Sequence, residues 1–194
     1  DIPFEIEYQD YLMDAKETIK ADSNGKLYLK MVESSDGMRH EHYLVEGEVQ
    51  NIHNILFALN SPTQGAINIS TKGEKPTISS PFEGQFMRMA DKLQGKVAKD
   101  TTQELMFRSL YNLGSAQFVF PDQPIKGAKD FVSSGNFKAK QAENILKLKI
   151  TTEGKEKSIV LKGSKGKQGE PQIVKLGKLE FTLVYGSKVY ELPF

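Results

Sequence analysis

The 194-residue chain contains no cysteine and no tryptophan. Without thiols there is no thiolate nucleophile, no Cys-ligated zinc, no iron–sulfur cluster and no disulfide. Such a chain suits an oxidising compartment, where stray thiols are a hazard, although cytosolic chains can lack them too. Chemistry that needs an indole platform is absent. No apolar run approaches the ~18 residues of a membrane-spanning helix. Neither sign of charge prevails: 26 Lys and Arg stand against 25 Asp and Glu, a net charge of +1. There is no overall field to hold nucleic acid or an anionic membrane. Hydrophobic residues make up only 38%, yet a chain of this length can bury a core without disulfide or metal staples.

What is present is period-two alternation, the signature of half-buried strands. Phe4, Ile6 and Tyr8 share one face of an opening strand. Leu146, Leu148 and Ile150 alternate with Lys147, Lys149 and Thr151; Glu153-Gly154 offers a turn, and Ile159 and Leu161 resume the apolar set on the return. Leu179, Phe181, Leu183 and Tyr185 alternate with Lys178, Glu180 and Thr182. Asn24-Gly25 precedes a run from Leu27 to Val32, and Asp36-Gly37 connects that run to Met38–Val45; both dipeptides suit turns. Ile55–Leu59, Ile67–Ile69 and Phe86–Met89 add short runs bounded by Pro, Gly and Ser. The expected fold is mainly β, an antiparallel β-sandwich or open barrel-like sheets with little helix.

Two stretches read less simply. Lys16–Ala21 fits one helical turn or a wide loop. Thr101–Leu113 has capping-box spacing at Thr101 and Glu104, but Leu105, Phe107, Ser109 and Tyr111 also alternate, and a strand is expected there. Residues 1–194 are expected to form one β-rich unit, with lobes 1–120 and 141–194 joined by the Pro- and Gly-punctuated stretch 121–140. Lys162–Glu170 reads as a solvated hairpin tip. Acid-aliphatic-Pro-Phe stands at both ends, as Asp1–Phe4 and Glu191–Phe194. Both ends have the look of cuts through a longer protein, so localisation is not read from a missing leader.

Candidate chemistry is sparse. His40-Glu41-His42 places two imidazoles on one strand face, within reach of one metal. A third ligand would come from elsewhere, and His53 is the only other histidine; the plainer reading is a pair of edge-strand histidines. Met38, Met87 and Met89 offer thioethers, though Met more often fills core gaps. Lys162–Lys167 with its glycines lacks the helix that follows a phosphate-binding loop. Glu5, Glu7 and Asp10 read as the wet face of a strand. Phe107, Tyr111, Phe118, Phe120 and Phe131 crowd one third of the chain and suggest a core, or an exposed strip against a partner. No Gly-X-Ser-X-Gly elbow and no His-Glu-X-X-His occurs. No residue is assigned a catalytic, cofactor-binding or metal-ligating role.

Five phrases carry a resemblance: Tyr43-Leu44-Val45-Glu46-Gly47-Glu48-Val49; Ser80-Pro81-Phe82-Glu83-Gly84; Phe86-Met87-Arg88-Met89-Ala90-Asp91; Arg108-Ser109-Leu110-Tyr111-Asn112 with Phe118-Val119-Phe120-Pro121; and Tyr185-Gly186-Ser187 leading into Glu191-Leu192-Pro193-Phe194. Together they resemble the extracytoplasmic domain of the ResB-like (CcsB) family of cytochrome c biogenesis proteins, in the form fused to a CcsA-like half. The likeness runs from about Tyr43 onward, over ordinary residues rather than a chemical signature. It implies a periplasmic domain of an inner-membrane protein, with flanking membrane helices and a further strand opened by Leu192-Pro193-Phe194. It implies apocytochrome c and the CcsA-like haem-handling half as partners, and no nucleic acid. The family's haem-handling histidines and Trp-rich segment have no counterpart in this chain, so no haem is expected in it. The implied role is a non-catalytic scaffold that presents apocytochrome near exported haem, one mode being pairing of an extended peptide with a sheet edge. An extracytoplasmic β-sandwich binding glycans or proteins stays open as the alternative, as does a hydrolase with dispersed carboxylates.

Overall fold

Alternation of apolar and polar residues is resolved into strands throughout the chain in a computed structural model, which describes residues 3–34, 37–136, 143–164 and 166–186. Among the described residues there is no helix. The strands are β1 (Glu5–Leu12), β2 (Ala15–Ser34), β3 (Arg39–Val45), β4 (Val49–Ile52), β5 (Ile55–Leu59) and β6 (Ile67–Ser70). They continue as β7 (Thr77–Ser79), β8 (Gly84–Arg88), β9 (Gln94–Val97), β10 (Gln103–Glu104), β11 (Ser109–Leu113) and β12 (Ala116–Val119). The last are β13 (Ile125–Ser133), β14 (Asn144–Thr152), β15 (Lys155–Gly163), β16 (Gln172–Leu176) and β17 (Leu179–Leu183). The expectation of a mainly β fold with little helix holds: the described residues form several open, mainly antiparallel sheets.

Two compact units divide the chain, one of residues 1–18 and 129–194, the other of residues 19–128. In the first, β1, β14 and β15 form an antiparallel sheet and β16 pairs with β17. Ile6, Tyr8 and Tyr11 of β1 break strict alternation. A bulge between Tyr8 and Asp10 absorbs it: Ile6 pairs Ile150, Tyr8 pairs Leu148 and Tyr11 pairs Leu146, so one extra residue keeps all three opposite the apolar side of β14. Ile150, Ile159, Leu161, Val174 and Leu176 make the core, with Leu146, Leu148, Phe181, Leu183 and Tyr185 packed on it. The edge of Phe4 meets Phe181 at 4.9 Å between ring centres. Glu7, on the wet side, lies 2.7 Å from Lys149, and this contact lowers the Glu7 carboxyl and raises the Lys149 ammonium.

The second unit holds a five-stranded sheet, β10-β7-β6-β5-β4, and most of a larger sheet ordered β13-β2-β12-β11-β8-β9, with β3 on β2; residues 15–18 of β2 and 129–133 of β13 fall in the first unit. The strand pairings β2–β3, β2–β12, β4–β5, β6–β7, β7–β10, β8–β9, β8–β11 and β11–β12 are antiparallel, while β5–β6 and the isolated Glu46–Leu59 bridge are parallel. One core is shared: Leu29, Met31, Leu44, Tyr111, Leu113 and Phe118 come from the larger sheet, and Ile55, Phe57, Leu59, Ile67, Ile69 and Ile78 from the smaller. Burying each such large side chain contributes about 1.5–3 kcal/mol. Phe118 is at the centre. It stacks on Tyr111 at 5.5 Å and 9°, and meets Phe57 and Phe120 edge-on at 5.2 and 5.4 Å.

Several local expectations are corrected. Lys16–Ala21 is neither a helical turn nor a loop but part of β2. Asn24-Gly25 makes no turn; β2 runs straight through it, because Gly25 is used for close approach to Gly127 of β13. Thr101–Leu113 is neither a helix nor one strand. It divides into β10 and β11 around a turn in which Arg108 takes φ 53°, and the Tyr111 hydroxyl accepts the Met106 N–H at 2.8 Å. Inside the stretch 121–140 lies β13. The Glu153-Gly154 turn forms as expected, closing β14 on β15 in continuous register. In the Lys162–Glu170 tract, Lys162 and Gly163 end β15, and Ser164 bridges to Lys167. Asp36 of the β2–β3 connection, and the strand expected to open at Leu192-Pro193-Phe194, lie outside the described residues.

Candidate functional site

Two features of the 19–128 unit bring side chains together. The first is built on the β2–β3 hairpin. Leu29, Met31 and Glu33 alternate along one face of β2; the first two are fully buried, and Glu33 is only 7% exposed. A carboxylate therefore occupies a position where the pattern calls for an aliphatic residue. The hairpin register sets Glu33 opposite His40 and Met31 opposite His42, so both histidines share the Glu33 face and His42 is its diagonal neighbour. The third group comes from the two-residue turn between β4 and β5. His53 and Asn54 take φ 48° and 65°, the backbone of a tight hairpin turn, and the Asn54 N–H donates to the Asn51 side chain at 3.0 Å.

The result is a carboxylate with two imidazoles on it. Glu33 Oε1 lies 3.2 Å from His42 Nε2 and 2.9 Å from His53 Nε2. The three ligand atoms fall within 4.8 Å of one another. The His40 ring stands 5.8 Å from that of His53. Glu33 and His53 also line a cavity of about 220 Å³ with Met31, Ile52 and Phe118. The cluster unites all three histidines of the chain in one neighbourhood, which their separation in sequence did not require. Glu33 was not singled out from the sequence. Its signal was available: a glutamate in phase with Leu29 and Met31, opposite His40 across the expected hairpin.

The second feature is a groove of about 690 Å³. Leu110 pairs Val119, Val119 pairs Val32, and Leu110 pairs Met87 on its other side. These four residues make a row across β2, β12, β11 and β8, on the side opposite the buried Met31, Tyr111 and Phe118. This side of the sheet is apolar as well: Val32 is buried, and Met87, Leu110 and Val119 are half-buried. Val32, Leu110, Val119, Met89 and Pro121 line the groove, with Arg39, Arg108 and Asp122 among its polar residues. The β8–β9 turn carries Met89, and Arg88 and Asp91 pair across it at 2.6 Å.

Other expected features fall elsewhere. Met38 and Met89 are exposed rather than filling the core, and Met87 is half-buried. Tyr111, Phe118 and Phe120 are core, as the sequence suggested, and Phe107 packs against them. Phe131 belongs to the other unit, under the Lys162 ammonium at 5.0 Å. Glu5, Glu7 and Asp10 are exposed along β1. Compared with known proteins, the chain matches no family model, no curated protein and no solved structure.

Proposed function

We propose that this chain is a non-catalytic scaffold of a cytochrome c biogenesis complex, a periplasmic domain that holds apocytochrome c beside haem delivered by a CcsA-like half. One observation carries the reading. The phrases behind the ResB-like resemblance are dispersed in sequence, yet two of them meet at the groove: Met89 and Ala90 from one, and Arg108, Leu110, Val119 and Pro121 from the two halves of the next. An apolar row on the outward side of a sheet is a surface suited to a partner, and an extended peptide laid across it buries its apolar side chains while Arg39 and Arg108 meet carboxylates or carbonyls. Thioether formation needs haem vinyl groups held beside cysteines, which a positioning surface serves without supplying reacting groups of its own.

The test is a titration of the purified chain with an apocytochrome peptide containing Cys-X-X-Cys-His, followed by NMR shifts or calorimetry. Binding in the submillimolar range with shifts on Val32, Leu110 and Val119 is expected. Leu110→Glu, which puts a charge in the apolar row, should weaken it about tenfold or more. No binding at millimolar peptide, or binding that Leu110→Glu leaves intact, overturns the reading.

A further inference from the structure

We propose that Glu33, His42 and His53 form a binding site for one divalent transition-metal ion of the zinc class. Glu33 also lines the groove, but the metal site rests on separate observations, and a failure of either reading leaves the other standing.

Geometry is the first argument. An ion bonded to nitrogen and oxygen at ~2.0–2.1 Å in a tetrahedron holds its ligand atoms ~3.3–3.4 Å apart. Two of the three separations, 3.2 and 2.9 Å, are already close to that length. The third, between the two imidazole nitrogens, is within 4.8 Å. It closes by rotating His53, whose side chain is half exposed. The backbone beneath is held on every side: Glu33 pairs His40 of β3 and Phe118 of β12, and His42 pairs Met31.

Charge is the second argument. A carboxylate moved out of water needs compensating charge or strong donors. The partners shown at Glu33 Oε1 are two imidazoles, each charged only when protonated. A bound dication supplies that charge with both rings neutral, the form in which histidine ligates metals.

The donor set selects the ion. Two imidazoles and one carboxylate suit zinc, nickel or copper(II); calcium and magnesium prefer six or more oxygens. Three protein ligands leave one position for water, or for His40, whose ring neighbours His53. The cavity of about 220 Å³ beside Glu33 and His53 gives a route in. A histidine at positive φ is also notable, because Asn or Gly makes that turn with less strain. A ligand role explains why the turn carries an imidazole.

The experiment uses the whole chain stripped with a chelator. Calorimetry with zinc should give one ion per chain with micromolar or tighter affinity, and cobalt(II) should develop visible bands of a four- or five-coordinate site. His42→Ala and His53→Ala should each weaken zinc about tenfold or more, and Glu33→Gln should follow. The wild-type chain supplies a readout that does not depend on the variants folding: zinc-induced NMR shifts must centre on the His42 and His53 rings. Absence of binding at millimolar zinc, shifts centred elsewhere, or a folded His42→Ala/His53→Ala double variant with unchanged affinity would each overturn the site.

Discussion

The backbones of Gly25 in β2 and Gly127 in β13 approach so closely that a Cβ on Gly25 would overlap the Gly127 carbonyl. Backbone cannot move aside as a flexible side chain can, so neither strand yields without disturbing its pairing. Gly25→Ala is expected to destabilise the chain by about 1–3 kcal/mol, the usual cost of overpacking. Gly73→Ala is the control. Its Cβ would meet only the Lys75 carbonyl at 3.6 Å, an ordinary contact, and should change stability by no more than about 0.5 kcal/mol. Urea unfolding of the two variants separates the cases, and equal midpoints would refute the close-approach argument.

Tyr111 holds two parts of the core together. Its ring stacks on Phe118, and its hydroxyl accepts the Met106 N–H at 2.8 Å. Tyr111→Phe keeps the ring and orphans that N–H, at an expected cost of about 1–3 kcal/mol near neutral pH. Burial pushes the Tyr111 hydroxyl up to about 12 from an ordinary 10.0. A raised folded value means the fold favours the protonated form. The contribution is complete below pH 10 and is lost as pH rises from 10 towards 12. Tyr111→Phe should therefore show a shallower loss of stability over that window, read by urea midpoints at stepped pH. Some slope remains in the variant, because Tyr185 is also pushed up to about 12, by burial and by the Tyr11 hydroxyl.

The β14–β15 hairpin turns on Glu153 and Gly154, with φ 49° and 74°. Both are left-handed, as a two-residue turn of this twist requires. Gly154 adopts that backbone freely, whereas Glu153 does so against its side chain. Gly154→Ala should lower stability by about 1 kcal/mol, and Glu153→Asn should raise it by about 0.5 kcal/mol, since Asn tolerates the left-handed region. Thermal melts of the two variants should move in opposite directions.

Alternation made most strands readable, because a half-buried strand writes its two faces directly into the sequence. The Glu153-Gly154 hairpin, the β17 pattern and the Tyr111–Phe118–Phe120 core were legible for that reason. Asn24-Gly25 misled because glycine serves two physical ends, positive φ in a turn and close backbone approach in a sheet, and only the partner strand decides between them. Bulges hide similarly: the 6, 8, 11 spacing in β1 looks irregular until Gln9 is recognised as the extra residue. The histidine cluster was half legible. His40 and His42 declare a shared face, but Glu33 joins them through hairpin register and His53 through a turn of a different hairpin, so the set depends on tertiary placement. The groove was not legible, since its row runs across four strands at one residue each.

Arg88 and Asp91 close the β8–β9 turn with two parallel hydrogen bonds, Nε to Oδ1 at 2.9 Å and Nη2 to Oδ2 at 2.6 Å. Hydrogen bonds from the guanidinium and from the Leu93 N–H hold the Asp91 carboxyl down to about 2, against an ordinary 3.8. A depressed folded value stabilises the turn above about pH 3.8, and that contribution is lost as pH falls towards 2. The pair is exposed and screened by salt, so its influence is local. Local is what the groove needs, because Met89 and Ala90 lie between the two residues and form part of its wall. Arg88→Gln should move the Asp91 carboxyl midpoint, followed by carbon-13 NMR, most of the way back to the ordinary value, the Leu93 N–H retaining the rest. The same variant should weaken apocytochrome peptide binding while leaving the global urea midpoint in place. Arg88→Lys should fall between, since an ammonium restores the charge but not the two-point geometry. An Arg88→Gln variant with the Asp91 midpoint restored and peptide affinity unchanged would show that this wall takes no part in binding.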